Sequence, residues 1–167
     1  VVVTVMTNLG FKLAMEAAGI HVVETGVGDR YVLEALGEGA LSLGGEQSGH
    51  VIFTDHATTG DGVLTALALL DVVQRSGRTL AEIAADTMTS LPQVLVNVRV
   101  GTRVPDVAEQ MADEVAEVEA ELGESGRVLL RASGTEPLIR VMVEAPTAEL
   151  AQSTADRLAD IAHTRFG

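Results

Sequence analysis

The sequence predicts an α/β three-layer domain followed by a smaller α+β domain of βαββα order. Three observations predict it. Strand-like and helix-like runs alternate over residues 1–88, the composition changes at Ser90-Leu91-Pro92, and a strand, a long helix, two strands and a closing helix follow over residues 93–167. A chain of 167 residues suits two small domains. Apolar residues make up 47% of it and aromatics only 2%, so the core must be built from Val, Leu, Ile and Ala.

Each element has a local reason. Residues 1–6, rich in β-branched side chains and free of charge, read as a buried strand. Asn8 caps a helix over 9–18 that Gly19 closes, and strand character returns at 20–23. A polar turn at 26–30 leads into a short helix over 31–36. Short strands near 40–43 and 51–53 flank the loop 44–50. Asp61 caps a helix over 62–74 whose apolar residues lie nearly all round, which predicts deep packing. Thr79-Leu80-Ala81-Glu82 has the capping-box pattern and opens a helix to about residue 86.

The second domain begins with a strand over 94–100. In the helix predicted for 105–122, Val107, Met111, Val115, Val118 and Leu122 share one face, and Glu109, Asp113, Glu117 and Glu121 share the other. Strands follow at 126–131 and 138–144, the latter with Ile139, Val141 and Val143 alternating inward. Thr147 caps the last helix, 148–163, with Leu150, Thr154, Leu158 and Ile161 on its expected buried face. There is no internal repeat and no low-complexity segment.

The net charge is −13, with Lys12 the one lysine. Nucleic acid and anionic membranes are therefore poor partners, because phosphate backbones are bound by clustered Lys and Arg. A phosphorylated small molecule remains suitable, since one placed Arg and a nest of backbone amides suffice. The absence of cysteine excludes disulfides and thiolate metal sites and fits a reducing cytoplasm. No signal peptide or membrane-spanning run is visible; the longest apolar stretch, 63–73, is broken by Thr65 and Asp71. The chain opens directly inside a strand-like run, which reads as a piece of a longer protein cut on its N-terminal side.

Two loops carry chemistry. Arg131-Ala132-Ser133-Gly134-Thr135-Glu136-Pro137 offers a forked cation, two hydroxyls and, at Gly134, close backbone approach, the donor set a phosphate needs; Arg140 on the next strand adds a second charge. The same residues also fit a plain hairpin whose Ser and Thr cap turns. The loop 44–50 offers the Glu46 carboxylate and the Ser48 hydroxyl between glycines, an inventory suited to sugar hydroxyls, and equally a tight turn with a glutamate facing water. His50, Asp55 and His56 have no compact metal-ligand spacing, so no metal site is expected. Gly60-Asp61-Gly62 reads most simply as a helix cap, and Asp29-Arg30-Tyr31 as either a local ion pair or ligand contacts.

Taken together, the loops are specific. Gly45-Glu46-Gln47-Ser48-Gly49-His50 resembles the sugar-binding loop in the third domain of the α-D-phosphohexomutase superfamily, and 131–137 resembles the phosphate-binding loop of its fourth domain. They stand in the family's order. Val27-Gly28-Asp29-Arg30-Tyr31-Val32 and Thr59-Gly60-Asp61-Gly62 resemble its hexosamine branch, as does Gln47, where mannose and glucose relatives more often carry Met. Two departures stand out: Ala132 where many relatives have Pro, and Gly26 where many have Lys.

The resemblance implies domains three and four, over 1–88 and 93–167, of an enzyme that moves a phosphoryl group between C6 and C1 of a hexose, here glucosamine 6-phosphate to glucosamine 1-phosphate. It implies a phosphoserine in the first domain, Mg²⁺ held by aspartates in the second, and a hexosamine 1,6-bisphosphate intermediate and activator. Neither Ser48 nor Ser133 matches that phosphoserine and no D-x-D-x-D loop is present, so no catalytic residue is expected here and the piece alone is expected to be inactive. Glu46 and Ser48 would hold ring hydroxyls, with Arg30 and His50 near the sugar. Arg131, Ser133, Gly134, Thr135 and Arg140 would hold the phosphate. The implied partners are a sugar phosphate and the N-terminal domains of the same protein. A phosphomannomutase/phosphoglucomutase piece, or a non-catalytic sugar-phosphate-binding module, are the alternatives.

Overall fold

The computed structural model describes residues 1–167 and resolves them into two compact units, Val1–Ser90 and Leu91–Gly167. The first unit has strands β1 (Val2–Thr4), β2 (Val23–Thr25), β3 (Leu43–Gly45) and β4 (Val51–Phe53) in the order β2-β1-β3-β4. β1 pairs parallel with β2 and with β3, and β4 returns antiparallel. Helices α1 (Leu9–Ala17), α2 (Asp29–Glu38), α3 (Gly62–Ser76) and α4 (Leu80–Thr87) complete it.

Local chemistry sets the helix starts. The Asn8 side chain accepts from the Gly10 N–H, and Asp61 accepts from Val63 and Leu64. Thr79 and Glu82 close a reciprocal capping box at α4. α2 lies on one sheet face, with Val32 and Leu36 packed against Val2 and Ile52 in a fully buried aliphatic cluster. Each such side chain contributes about 1.5–3 kcal/mol by leaving water. Across the sheet, Val3, Phe11, Leu43, Gly45 and Val51 line an open apolar trough of ≈ 270 Å³ that reaches Glu46 at its rim.

The second unit has β5 (Gln93–Arg99), α5 (Val107–Gln110), α6 (Ala112–Leu122), β6 (Arg127–Ala132), β7 (Leu138–Glu144) and α7 (Ala148–Phe166). Its antiparallel sheet runs β5-β7-β6, so the last strand of the hairpin occupies the centre. Val98, Val107, Met111, Val118, Leu122, Ile139, Val141, Val143 and Leu158 form its aliphatic core. On the other face Glu144, fully buried, receives the Arg127 Nε–H at 2.7 Å from the directly opposite residue on β6.

The α/β unit followed by an α+β unit matches the sequence reading, and four details differ. α3 is not deeply packed: no residue of it is buried, and Val63 is 72% exposed, Leu67 61% and Leu70 62%. An all-round apolar pattern shows what a helix tolerates, while the neighbours within reach decide what covers it; the unit offers α3 chiefly β4. β2 and β3 form later in sequence than the expected 20–23 and 40–43, because the ladder partners of β1 are Val23–Thr25 and Gly44–Gly45. The expected single helix over 105–122 breaks at Met111, which leaves the helical region while its side chain stays in the core. Leu150 of α7 is exposed; the stripe against the sheet is Ala151, Ala155, Leu158 and Ala162, whose small side chains let the helix approach closely.

Candidate functional site

In the first unit, parallel pairing brings the carboxyl ends of β1, β2 and β3 to one sheet edge, the place where open α/β sheets bind ligands. The turn after β2 and the loop after β3 meet there. Gly28 adopts φ 135°, a conformation open to glycine, and thereby aims its N–H at Glu46 Oε1, 2.9 Å away. One carboxylate oxygen is held and the other remains an acceptor. The loop itself is closed by the Glu46 N–H donating to the His50 carbonyl at 2.9 Å and the Gly49 N–H donating to the Glu46 carbonyl at 3.0 Å. Gln47, Ser48 and Gly49 project at its exposed tip.

His50 is half-buried, its Nε2 3.6 Å from the Asp29 carboxylate and without a hydrogen-bond partner. A Cβ at position 60 would lie 2.2 Å from that nitrogen, so Gly60 is what lets the ring fit. Arg30 turns elsewhere: its Nε–H donates to Glu34 at 2.8 Å on the exposed side of α2, and that carboxylate raises its pKa above the ordinary arginine value. The structure thus gathers Glu46, Ser48 and His50 on one loop and gives Arg30 a different partner. Gly28, Asp29 and Gly60 support this loop, a role the sequence did not give them: it offered Asp29 as an ion-pair or ligand contact and Gly60 as part of a helix cap. The parallel topology that brings 26–30 against 44–50 is not written in local spacing.

In the second unit, Arg131 and Arg140 stand directly opposite each other on β6 and β7. Burial, and secondarily the Arg140 charge, hold the Arg131 guanidinium below its usual pKa. The intervening loop is closed by the Ser133 N–H donating to the Leu138 carbonyl at 2.8 Å. Ser133 is 2% exposed, and its hydroxyl accepts the Glu136 N–H at 3.3 Å, so it shapes the turn while keeping its own O–H to donate. Gly134 and Thr135 are exposed, and nothing lies within 4 Å of a Cβ built on Gly134. Two cations on the strands flanking an open turn of hydroxyl and amide donors make up a donor set suited to an anion. The hairpin therefore assembles Arg131, Ser133, Gly134, Thr135 and Arg140.

No three His, Asp or Glu side chains of this chain converge into a group that could hold a metal ion, so its residues do not fit one and no step here runs through a metal. No helix is long and apolar enough to cross a membrane.

An α/β unit with a carboxylate–hydroxyl loop is followed by an α+β unit with an arginine-flanked hairpin turn. The chain belongs to the phosphoglucomutase/phosphomannomutase family: residues 1–91 match its alpha/beta/alpha domain III and residues 95–161 its C-terminal domain. Phosphoglucosamine mutase of Thermobifida fusca (strain YX) is 65% identical over 162 residues, covering 96% of this chain and 36% of the relative. That of Streptomyces coelicolor is 62% identical over the whole chain and 37% of the relative. The chain thus spans about a third of these relatives. A crystal structure of N-acetylglucosamine-phosphate mutase in its substrate complex, a member of the alpha-D-phosphohexomutase superfamily, is 25% identical with TM-score 0.79, covering 96% of this chain and 38% of that one. The Aspergillus fumigatus N-acetylphosphoglucosamine mutase in complex with GlcNAc-6P and magnesium shares the fold at 22% identity and TM-score 0.81, covering 99% of this chain and 39% of that one.

Proposed function

We propose that this chain is the substrate-gripping part of a phosphoglucosamine mutase, which interconverts glucosamine 6-phosphate and glucosamine 1-phosphate in the cytoplasm during amino-sugar and peptidoglycan-precursor synthesis. The observation that carries this reading is the 62% identity to a phosphoglucosamine mutase over the entire chain, with both candidate loops inside the aligned stretch.

In this reading Glu46 and Ser48 hold ring hydroxyls, with His50 beside them, while Arg131, Ser133, Gly134, Thr135 and Arg140 hold the phosphoryl group that is not being transferred. The remaining two thirds of the relatives' length would supply the phosphoserine and the aspartates to hold Mg²⁺, whose chemistry when bound would be to offset negative charge. A bisphosphate intermediate that binds in two orientations suits contacts of this kind, because on reorientation one phosphate takes the place of the other and hydroxyls take the places of hydroxyls. Binding energy remote from the reacting centre positions the transferred group, so loss of either grip lowers turnover as well as affinity.

The test is a direct assay of the full-length protein with glucosamine, glucose and mannose 6-phosphates. Preferential turnover of glucosamine 6-phosphate is expected. Preference for a non-amino hexose phosphate would replace the substrate assignment, and binding without turnover of any of them would point to a non-catalytic module.

A further inference from the structure

The chain carries eleven Lys and Arg residues against a net charge of −13. Seven of them pair with carboxylates: Lys12, Arg30, Arg75, Arg78, Arg127, Arg157 and Arg165. The other four are Arg99, Arg103, Arg131 and Arg140, and all four belong to one end of the second unit's sheet.

Sheet register fixes three of them on one face. The row Val98–Ile139–Ala132 points into the core, with Val98 6% and Ile139 0% exposed. The rows on either side therefore point away from it. One is Asn97–Arg140–Arg131, and the other places Arg99 opposite Leu138, at the mouth of the loop. Arg99 and Arg140 are thus diagonal neighbours on adjacent antiparallel strands, with Cα atoms about 7–8 Å apart. The Val100 N–H donates to the Pro137 carbonyl at 3.1 Å and ties the end of β5, with Arg103 just beyond, to the same loop. The loop's own carboxylate, Glu136, is exposed and forms no ion pair with any of these arginines.

We propose that Arg99 is a further anion-reading residue of this cradle, one that selects the doubly charged phosphoryl group and draws it in. A protein of this net charge repels a dianion at a distance. A lane of three guanidinium groups left free of carboxylates reverses that field locally, and low ionic strength accentuates the effect. Arg131 and Arg140 supply the floor of the cradle. Arg99, on the flanking strand and exposed, adds attraction without replacing a contact. The inference rests on the reading of 133–137 as the phosphate loop.

The test is an NMR titration of the 167-residue chain with inorganic phosphate at pH 8, following the amides of Gly134, Thr135 and Glu136 at several salt concentrations. Arg99→Gln is expected to weaken binding about threefold to tenfold, the scale of one charge acting on a dianion in a partly screened setting. It is also expected to flatten the dependence of affinity on salt. Arg99→Lys should restore most of both, and Arg157→Gln, elsewhere on the unit, should change neither. Equal affinity and equal salt dependence in wild type and Arg99→Gln would overturn the proposal while leaving the loop reading intact. Absence of any phosphate-dependent shift in the wild-type loop would overturn both.

Discussion

The Gly28 N–H donates to Glu46 Oε1 at 2.9 Å, so the turn after β2 is latched to the loop after β3 by the same carboxylate proposed to meet the sugar. Glu46 therefore has two roles that substitution can separate. Glu46→Gln keeps a carbonyl oxygen for Gly28 and loses the charge; Glu46→Ala loses both. In the full-length enzyme Glu46→Ala is expected to cost on the order of 1.5–3 kcal/mol of transition-state binding, the worth of a hydrogen bond to a charged group, and Glu46→Gln less. Steady-state kinetics read this as a fall in kcat/KM. Wild-type kinetics in both variants would remove Glu46 from the sugar grip.

Arg131→Ala removes the half-buried fork below the 133–137 turn. The expected loss is on the order of 1.5–3 kcal/mol of sugar-phosphate binding, roughly tenfold to a hundredfold. Arg131→Lys should recover only part of it, because a point charge cannot make two parallel hydrogen bonds to one phosphate. Isothermal titration with glucosamine 6-phosphate separates the three proteins.

Arg127 and Glu144 test stability instead of binding. Glu144 is 0% exposed and bonded to Arg127 at 2.7 Å, so Glu144→Ala leaves a guanidinium without its carboxylate in a largely buried position. A loss of about 3–5 kcal/mol is expected in urea unfolding of the second unit. The double variant Arg127→Met with Glu144→Leu should unfold near the wild-type midpoint, since apolar pairs of similar volume replace buried ion pairs without net cost.

The capping box of α4 gives a pH dependence. The Thr79 backbone N–H, and after it the Thr79 hydroxyl, hold the Glu82 carboxyl below its ordinary value of 4.5. A carboxyl with a lowered folded pKa stabilises the fold above the unfolded value. That contribution disappears as pH falls through the folded one. Protection of the amides at 80–82 against hydrogen exchange should therefore weaken below pH 4.5, after correction for the intrinsic exchange rate. Glu82→Gln should abolish that dependence, and a profile identical to wild type would show that the box does not control the helix start.

Much of the fold was legible because its signals are local. Asn8, Asp61, Thr79 and Thr147 each cap the helix their side chains announced, since an N-cap depends on two or three neighbouring N–H groups and little else. The hairpin around Ser133 and Thr135 was legible for the same reason: both strands and the turn lie within one short segment. What was illegible depends on distant chain. The exposure of α3, the break at Met111 and the burial of Glu144 under its neighbours are set by what packs alongside, which periodicity does not encode. The same holds for the first loop, where Glu46 and Ser48 could be named but Gly28, eighteen residues away, is brought to them by strand order alone.

Arg131 facing Arg140 has a price in durability. Like charges directly across an antiparallel pair weaken it, so the hairpin is less firmly held with both guanidinium groups than with one. Replacing Arg140 with Leu should make the second unit more heat-resistant and at the same time less able to retain a phosphate. Thermal robustness and ligand retention thus pull in opposite directions at this position, and a search for hardier variants would drift toward losing the cradle.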